Sequence, residues 1–438
     1  MLALTLTDGT STATLHALSA TFVPYGGWAL GGGENEETTT ESIHLLIQGA
    51  NAVAIQSTVQ AIMRLLQRAG RRNQSAIGAQ VWLQRTLDNE TQVRTEVVSG
   101  TLELPQLPDE WNRLRINATL TIERRNWWEP VAAVELQLSA PNQSAATGGR
   151  TIYNHWDGDT GHGYWVQVAN TQVLGDLPAP VRLEITNNVG GARAYAALHV
   201  ANNSLNDPAN FVGRVEGESA SSGGTTAADA TCSGGNKRNL TVNTSLTVTW
   251  ALNDAFVTDT SGAHMWLIAR VLGLTGGVTV RPEIRTASGS VVWRANEPVR
   301  WITSTPHLAV ICTAPIPPGG WDAPWDDLVL ALAFNSAASV SLSIDYLAFL
   351  TADNYQFVPM LGESVANNET IIVDGWAGYA GVANGGVVRP IVSPRGKPLV
   401  LYPNTTQRMY ILQHLTNNCN IADTFSVRAY YRPRRRYV

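Results

Sequence analysis

Only one stretch of this chain carries the 3.6-residue spacing of an amphipathic helix. Nearly all the rest is short alternating or apolar runs cut by Gly, Asn and Pro. Within 54–69, Ile55, Val59, Ile62 and Leu66 fall on one stripe, while Gln56, Gln60, Arg64 and Gln67 lie elsewhere. Arg68, Arg71 and Arg72 follow at the end predicted for the helix, where cations complement its dipole. A chain with one helix and many strands has to bury its apolar residues between sheets. At 438 residues it is too long for one ordinary domain, and 44% apolar content supplies more than one core.

The predicted fold is therefore mainly β. Residues 1–138 form a sheet-rich domain with the single helix packed on it. Its opening hairpin turns at Asp8-Gly9, and its strands fall near 41–48, 80–85, 94–104 and 114–123. An acidic, glycine-rich segment at 26–37, with Glu34, Glu36 and Glu37, reads either as a solvated loop or as an interaction loop. Residues 139–150 turn to Pro, Asn, Gln, Ser, Ala, Thr and Gly, the composition of a linker. Beyond them, strands predicted at 164–168, 181–186, 195–200, 246–250, 265–271, 277–285, 308–313, 328–334 and 340–350 suggest one or two jelly-roll β-sandwiches. The stretch after 351 reads as looser before strands resume near 399–402, 408–413 and 425–431. This divides the second part into a sandwich split between 151–211 and 351–438, with 212–350 inserted as a jelly roll. Two consecutive sandwiches are the alternative.

A net charge of −5 excludes a nucleic-acid binder driven by a basic surface. Cys232, Cys312 and Cys419 are odd in number and far apart, which argues against a disulfide scaffold or structural zinc. The opening residues alternate like a strand and lack the basic start of a secretory leader, and no run is long enough to span a bilayer. Synthesis and folding in a cytoplasm are expected. There is no GxSxG elbow, P-loop, HExxH or dinucleotide fingerprint, so no enzymatic activity is expected.

Three constellations remain. His155, Asp157, Asp159 and His162 could gather a cation in a glycine-punctuated loop, or form an interdomain turn. Trp321, Asp322 and Trp325 place indole faces beside a carboxylate, the chemistry that contacts sugar rings and their hydroxyls; an interstrand loop packed on the sandwich edge is the structural alternative. Glu216 and Glu218 lie at the start of the inserted block and Asp345 on its last strand. First and last strands of a jelly roll are often neighbours, so the three carboxylates could meet and hold Ca²⁺, or else face solvent. The basic ending, from Tyr430 through Arg432, Arg434, Arg435 and Arg436, is either a frayed tail or a contact with an acidic patch. Glu34, Glu36 and Glu37 of a neighbouring subunit would suit it.

Taken in order, four pieces resemble the distal tail family of long-tailed bacteriophages and related minor tail proteins. They are the opening Leu/Thr hairpin, a strand followed by the helix and Val81-Trp82-Leu83, the closing phrase from Leu120 to Glu129, and Leu174-Gly175-Asp176-Leu177-Pro178 together with the late Leu401-Tyr402-Pro403 and the Tyr431-Arg432-Pro433-Arg434 ending. The likeness covers about 1–205 and 355–438. The block 212–350 resembles a carbohydrate-binding module of the galactose-binding jelly-roll type, through Glu216-Gly217-Glu218 and Asp345-Tyr346.

The resemblance implies a structural role. A tail-tube-like N-terminal domain would build a ring, commonly a hexamer, joining the tail tube to the tip or baseplate of the virion. Its partners would be other copies of itself, tail-tube and hub proteins, and host surface glycans, with neither nucleic-acid specificity nor membrane insertion. Two other classes compete: a glycan-binding β-sandwich protein, an adhesin or hydrolase-associated module, and a capsid or fibre subunit. A capsid or fibre subunit shares the strands but leaves the helix-plus-sheet unit unexplained.

Overall fold

A computed structural model describes residues 3–17, 23–24, 29–31, 37–75, 79–87, 89–104, 114–153, 163–203, 214–252, 257, 262–302, 307–315, 328–351, 354–391, 393–415 and 423–436. It is mainly β, and its sheets are antiparallel. The chain divides into two compact units. One comprises Met1–Ala133, Gly175–Pro178 and Arg432–Val438; the other comprises Val134–Leu174 and Ala179–Tyr431.

The first unit is built on alternation. In Ala3–Thr7, Thr38–Gln48 and Arg115–Arg125 every second residue is buried, and Val81–Thr86 buries Val81 and Leu83; the set includes Leu4, Leu6, Ile43, Leu45, Ile47, Leu120 and Ile122. A period of two puts all of these on one face. The sheet runs Thr12–Ala17, Ala3–Thr7, Val81–Thr86, Gln92–Glu103, Arg115–Arg125, Thr38–Gln48, Val23–Pro24. Its apolar face is covered by the helix Ala52–Ser75, which buries Ile55, Val59, Ile62, Leu65, Leu66 and Ala69. The helix is longer at both ends than its apolar stripe. Asn51 accepts the Ala54 N–H at 2.9 Å and caps the start, and the polar turn after Ala69 continues through Arg71 and Arg72. Gly100 lets the helix approach the sheet, since a Cβ there would stand 2.8 Å from Leu66 Cδ2.

The basic ending is not a frayed tail. The backbones of Arg435 and Trp128 exchange hydrogen bonds at 2.7 and 2.9 Å, and Asp176 N–H donates to the Arg434 carbonyl at 2.8 Å. The Arg434 guanidinium lies 3.9 Å from the centroid of Trp127 and 3.6 Å from the buried Glu129 carboxylate. Glu129 also takes Arg94 at 3.0 Å, and Arg94 in turn stacks on Trp82 at 3.9 Å. Burial is the main cause holding the Arg434 pKa below its ordinary value, with Glu129 opposing it. Glu37 pairs with Arg125 of its own chain, whereas Glu34 and Glu36 lie outside the described residues.

The second unit contains two sandwiches. In the first, one sheet runs Val134–Glu135, Thr424–Tyr431, Ala179–Asn187, Thr370–Asp374, Tyr379–Asn384, Val387–Pro390; its partner centres on Trp165–Val168, Gln407–Leu415, Arg193–Asn203 and Tyr355–Val365. Leu183, Ile185, Phe425 and Val427 meet Val166, Leu198, Val200 and Ile411 between them. Two expectations change here. Residues 139–150 are not an unstructured linker: Leu138–Ala140, Gln143–Ala146 and Arg150–Tyr153 are short strands, with Leu138 and Ala140 buried. Small and polar residues suit a sheet margin as well as a linker, and composition does not separate the two. Nor is the region after 351 loose, because four strands between Tyr355 and Pro390 belong to these sheets.

The second sandwich occupies 214–351. One sheet runs Thr225–Ala228, Asn236–Val242, Val340–Thr351, His264–Leu272, His307–Pro315, with Arg214–Glu216 also on Val340–Thr351. The other runs Ser245–Ala251, Leu328–Asn335, Val278–Thr286, Val291–Arg294, with Val299–Trp301 also on Val278–Thr286. Trp250, Val280, Ile284, Leu332 and Phe334 fill the space between them together with Leu240, Ile268 and Leu342. Tyr164, Tyr355, Tyr410 and Leu412 of the first sandwich join the same core, and Tyr164 stacks on Tyr346 at 6.1 Å.

His199 is buried at this aromatic seam. Its Nδ1 lies 2.8 Å from the Tyr355 hydroxyl, and the Phe357 ring stands edge-on at 5.2 Å. Burial, reinforced by His414, pushes the imidazole pKa down to about 3, so the folded protein holds it neutral. The unfolded chain binds that proton near pH 6.5. The stability contributed by neutral His199 is therefore complete above pH 6.5 and declines toward pH 3, by up to about 1.4 kcal/mol per pH unit. His199→Gln is expected to have a smaller drop in melting temperature between pH 7 and pH 4 than the wild type; equal drops would refute this assignment of the acid limb.

Candidate functional site

A buried polar cluster of the inserted sandwich forms where its first and last strands meet. Val215 and Glu216 pair with Leu347 and Tyr346, which brings the acidic opening beside the closing strand. The turn Gly217–Ser219 then runs tightly under that strand. A Cβ on Gly217 would sit 2.1 Å from the Ile344 carbonyl oxygen, so the position admits only glycine, and the Gly217 carbonyl accepts the Trp250 indole N–H at 3.1 Å.

A β-bulge supplies the decisive side chain. On strand His264–Leu272, Ala269 faces Leu347 and Val271 faces Ile344, so Arg270 alone stands opposite two residues, Asp345 and Tyr346. Such a bulge re-aims side chains. Asp345 is fully buried, Arg270 nearly so, and the two form an ion pair through Oδ2 and Nη1. Arg270 Nη1 also donates to the Thr231 carbonyl at 3.2 Å. Asp345 Oδ1 accepts the Ser233 N–H at 2.8 Å, and the Ser233 hydroxyl donates to Glu216 Oε1 at 3.1 Å. Glu218 Oε1 lies beside Gly234, whose φ of +61° and lack of a side chain make room for it.

The surroundings are equally polarised. Asp229 accepts Lys237 Nζ at 2.7 Å and the Thr231 hydroxyl at 2.6 Å, and these contacts hold its carboxyl well below the usual range. Asp229 in turn raises the Lys237 pKa. Burial first, and Asp345 second, push the Cys232 thiol up to about 12, so it stays protonated and unreactive at neutral pH.

Glu216, Glu218 and Asp345 thus share a site, organised around Ser233 and a guanidinium. Among the described residues, no group of three or more His, Cys, Asp or Glu is placed to hold a metal ion. Arg270 and Ser233 were not anticipated from sequence. The available signal was a lone arginine inside the apolar run Met265-Trp266-Leu267-Ile268-Ala269-Arg270-Val271-Leu272. Trp321, Asp322 and Trp325, and likewise His155, Asp157, Asp159 and His162, lie outside the described residues.

A second polar feature lies on the five-stranded sheet. Val278, Val280 and Ile284 point into the core, and alternation leaves Thr279, Arg281, Glu283 and Arg285 on the opposite face. There the buried Glu283 carboxylate is clamped by Arg285 at 2.5 Å and by Arg294 at 2.5 Å.

No protein-family model matches the chain, and no curated protein matches it. A solved structure of infectious bursal disease virus Gt strain aligns over 69% of this chain and 82% of its own at 9% identity, with a TM-score of 0.16. A score that low carries no argument about fold or role.

Removing one member of a buried ion pair leaves the other uncompensated, at a cost of about 3–5 kcal/mol. Asp345→Ala is accordingly expected to destabilise the second unit by that order in urea unfolding. A loss under about 1 kcal/mol, the range of exposed pairs, would show that Arg270 does not depend on it.

Proposed function

We propose that this protein is a structural component of a bacteriophage tail tip. In this reading the first unit builds a homo-oligomeric ring, sixfold as in the distal tail family that the sequence resembles, between the tail tube and the tip or baseplate. The sandwiches decorate it and contact host glycans. The observation that carries the reading is the organisation of the first unit. The unit is one antiparallel sheet with one helix on its apolar face, and the late segment 432–436 returns to it through the Arg435–Trp128 backbone pairing, so the sequence of the second unit lies within that of the first.

Chemistry supports the same reading. Such a ring joins sheets across subunits, and Thr12–Ala17 and Val23–Pro24 are the terminal strands of this sheet's hydrogen-bonded order. The polar face bearing Arg281, Arg285 and Arg294 offers fork-shaped donors of the kind that recognise hydroxyls and acidic groups of sugars, with the buried Glu283 carboxylate holding Arg285 and Arg294 in place. The role requires no catalysis and places the protein in the virion after assembly in a host cytoplasm.

Native mass spectrometry with negative-stain imaging of the full chain is the first test. A closed ring of about six copies is expected. A protein that stays monomeric at high concentration, and also when mixed with tail-tube protein, would overturn the reading and favour a free-standing glycan-binding protein.

A further inference from the structure

The inserted sandwich resembles modules in which Glu216, Glu218 and Asp345 would be expected to hold Ca²⁺, and the residues present do not fit that ion. Calcium takes six to eight oxygen ligands and needs their lone pairs free. Here one oxygen of Asp345 is paired with Arg270, its other oxygen accepts the Ser233 N–H, and Glu216 accepts the Ser233 hydroxyl. A divalent cation at the same place would face a guanidinium that cannot lose its proton.

We propose that Arg270 is a built-in replacement for the metal: its guanidinium pairs with Asp345, the fully buried carboxylate of the cluster, makes the sandwich independent of divalent cations, and masks a latent calcium site. The arrangement is specific to an arginine at a bulge. The extra residue on Val340–Thr351 sets Asp345 and Tyr346 opposite Arg270, which aims the side chain into the cluster rather than out to solvent. Arg270 and Asp345 are 3% and 0% exposed, so the pair sits where an uncompensated carboxylate would be most costly. Its second hydrogen bond, to the Thr231 carbonyl, ties the loop preceding Ser233 to the same guanidinium. The inference does not depend on the tail-tip role.

The test uses the full chain, with CaCl₂ and EDTA as the probes. Wild-type protein is expected to melt at the same temperature in both and to show no Ca²⁺ binding by calorimetry. Arg270→Met keeps the bulk of the stem but removes the charge. It is expected to melt lower than wild type in EDTA and to gain at least about 3 °C in millimolar Ca²⁺. Asp345→Asn added to it should abolish that gain. If Arg270→Met does not fold in EDTA, its refolding yield with and without Ca²⁺ replaces the melting readout. Arg270→Lys retains a cation and is expected to remain insensitive to Ca²⁺. A calcium-dependent melting shift in the wild type, or an Arg270→Met variant that Ca²⁺ neither stabilises nor refolds, would overturn the proposal.

Discussion

Closure by late strands is the constraint on which the second unit depends. Thr424–Tyr431 forms seven residue pairs with Ala179–Asn187 and also receives Arg150–Tyr153 and Val134–Glu135. Gln407–Leu415 performs the same task in the facing sheet, beside Trp165–Val168 and Arg193–Asn203. Buried backbone N–H and C=O groups have to be paired. The early strands therefore cannot form a stable sandwich until chain more than 200 residues later arrives. In between, 214–351 completes a sandwich of its own, whose closing strand Val340–Thr351 takes up the opening one, Arg214–Glu216. Contacts this distant in sequence predict slow folding of the unit.

Four of the buried carboxylates follow one pattern. Glu41 meets Arg124 at 2.6 Å, Asp345 meets Arg270, Glu129 meets Arg94 and Arg434, and Glu283 meets Arg285 and Arg294. Each is a carboxylate held by arginine, and several of these arginines also lie over indole rings: Arg94 on Trp82, Arg434 on Trp127, Arg124 by Trp128. Lysine appears only at 237 and 397. A planar guanidinium can satisfy a carboxylate and stack at once, which a strongly hydrated ammonium does poorly. The scarcity of lysine, readable also as genome composition, thus has a structural use in these units. The same pairs organise the inserted sandwich at Asp345 and seat the late segment of the first unit at Glu129.

Much of the fold was legible because burial on one face of a strand imposes a period of two. Strands expected at 181–186, 265–271, 328–334 and 340–350 are observed at Ala179–Asn187, His264–Leu272, Leu328–Asn335 and Val340–Thr351. Where the alternation was weak, reading failed. Val387–Pro390 is exposed at all four positions and Gln143–Ala146 has no buried residue, so neither carries a pattern to see. The apolar stripe marks the helix, but the last turn is polar, so the stripe stops short of the helix end at Ser75.

The sequence by itself determined that the chain is mainly β, that one helix covers a sheet near its start, and that Glu216, Glu218 and Asp345 are exceptional in their block. Those properties reside in local periodicity and residue type. Tertiary structure alone decided what pairs with Asp345, because Arg270 is 75 residues away and stands opposite it only through a bulge in their pairing. It also decided that the basic ending turns back onto Trp127, Trp128 and Glu129 rather than remaining free. Ion pairs, cation–π stacks and ladder hydrogen bonds act over a few ångströms of space, and no local pattern in the chain records which distant segments will be brought that close.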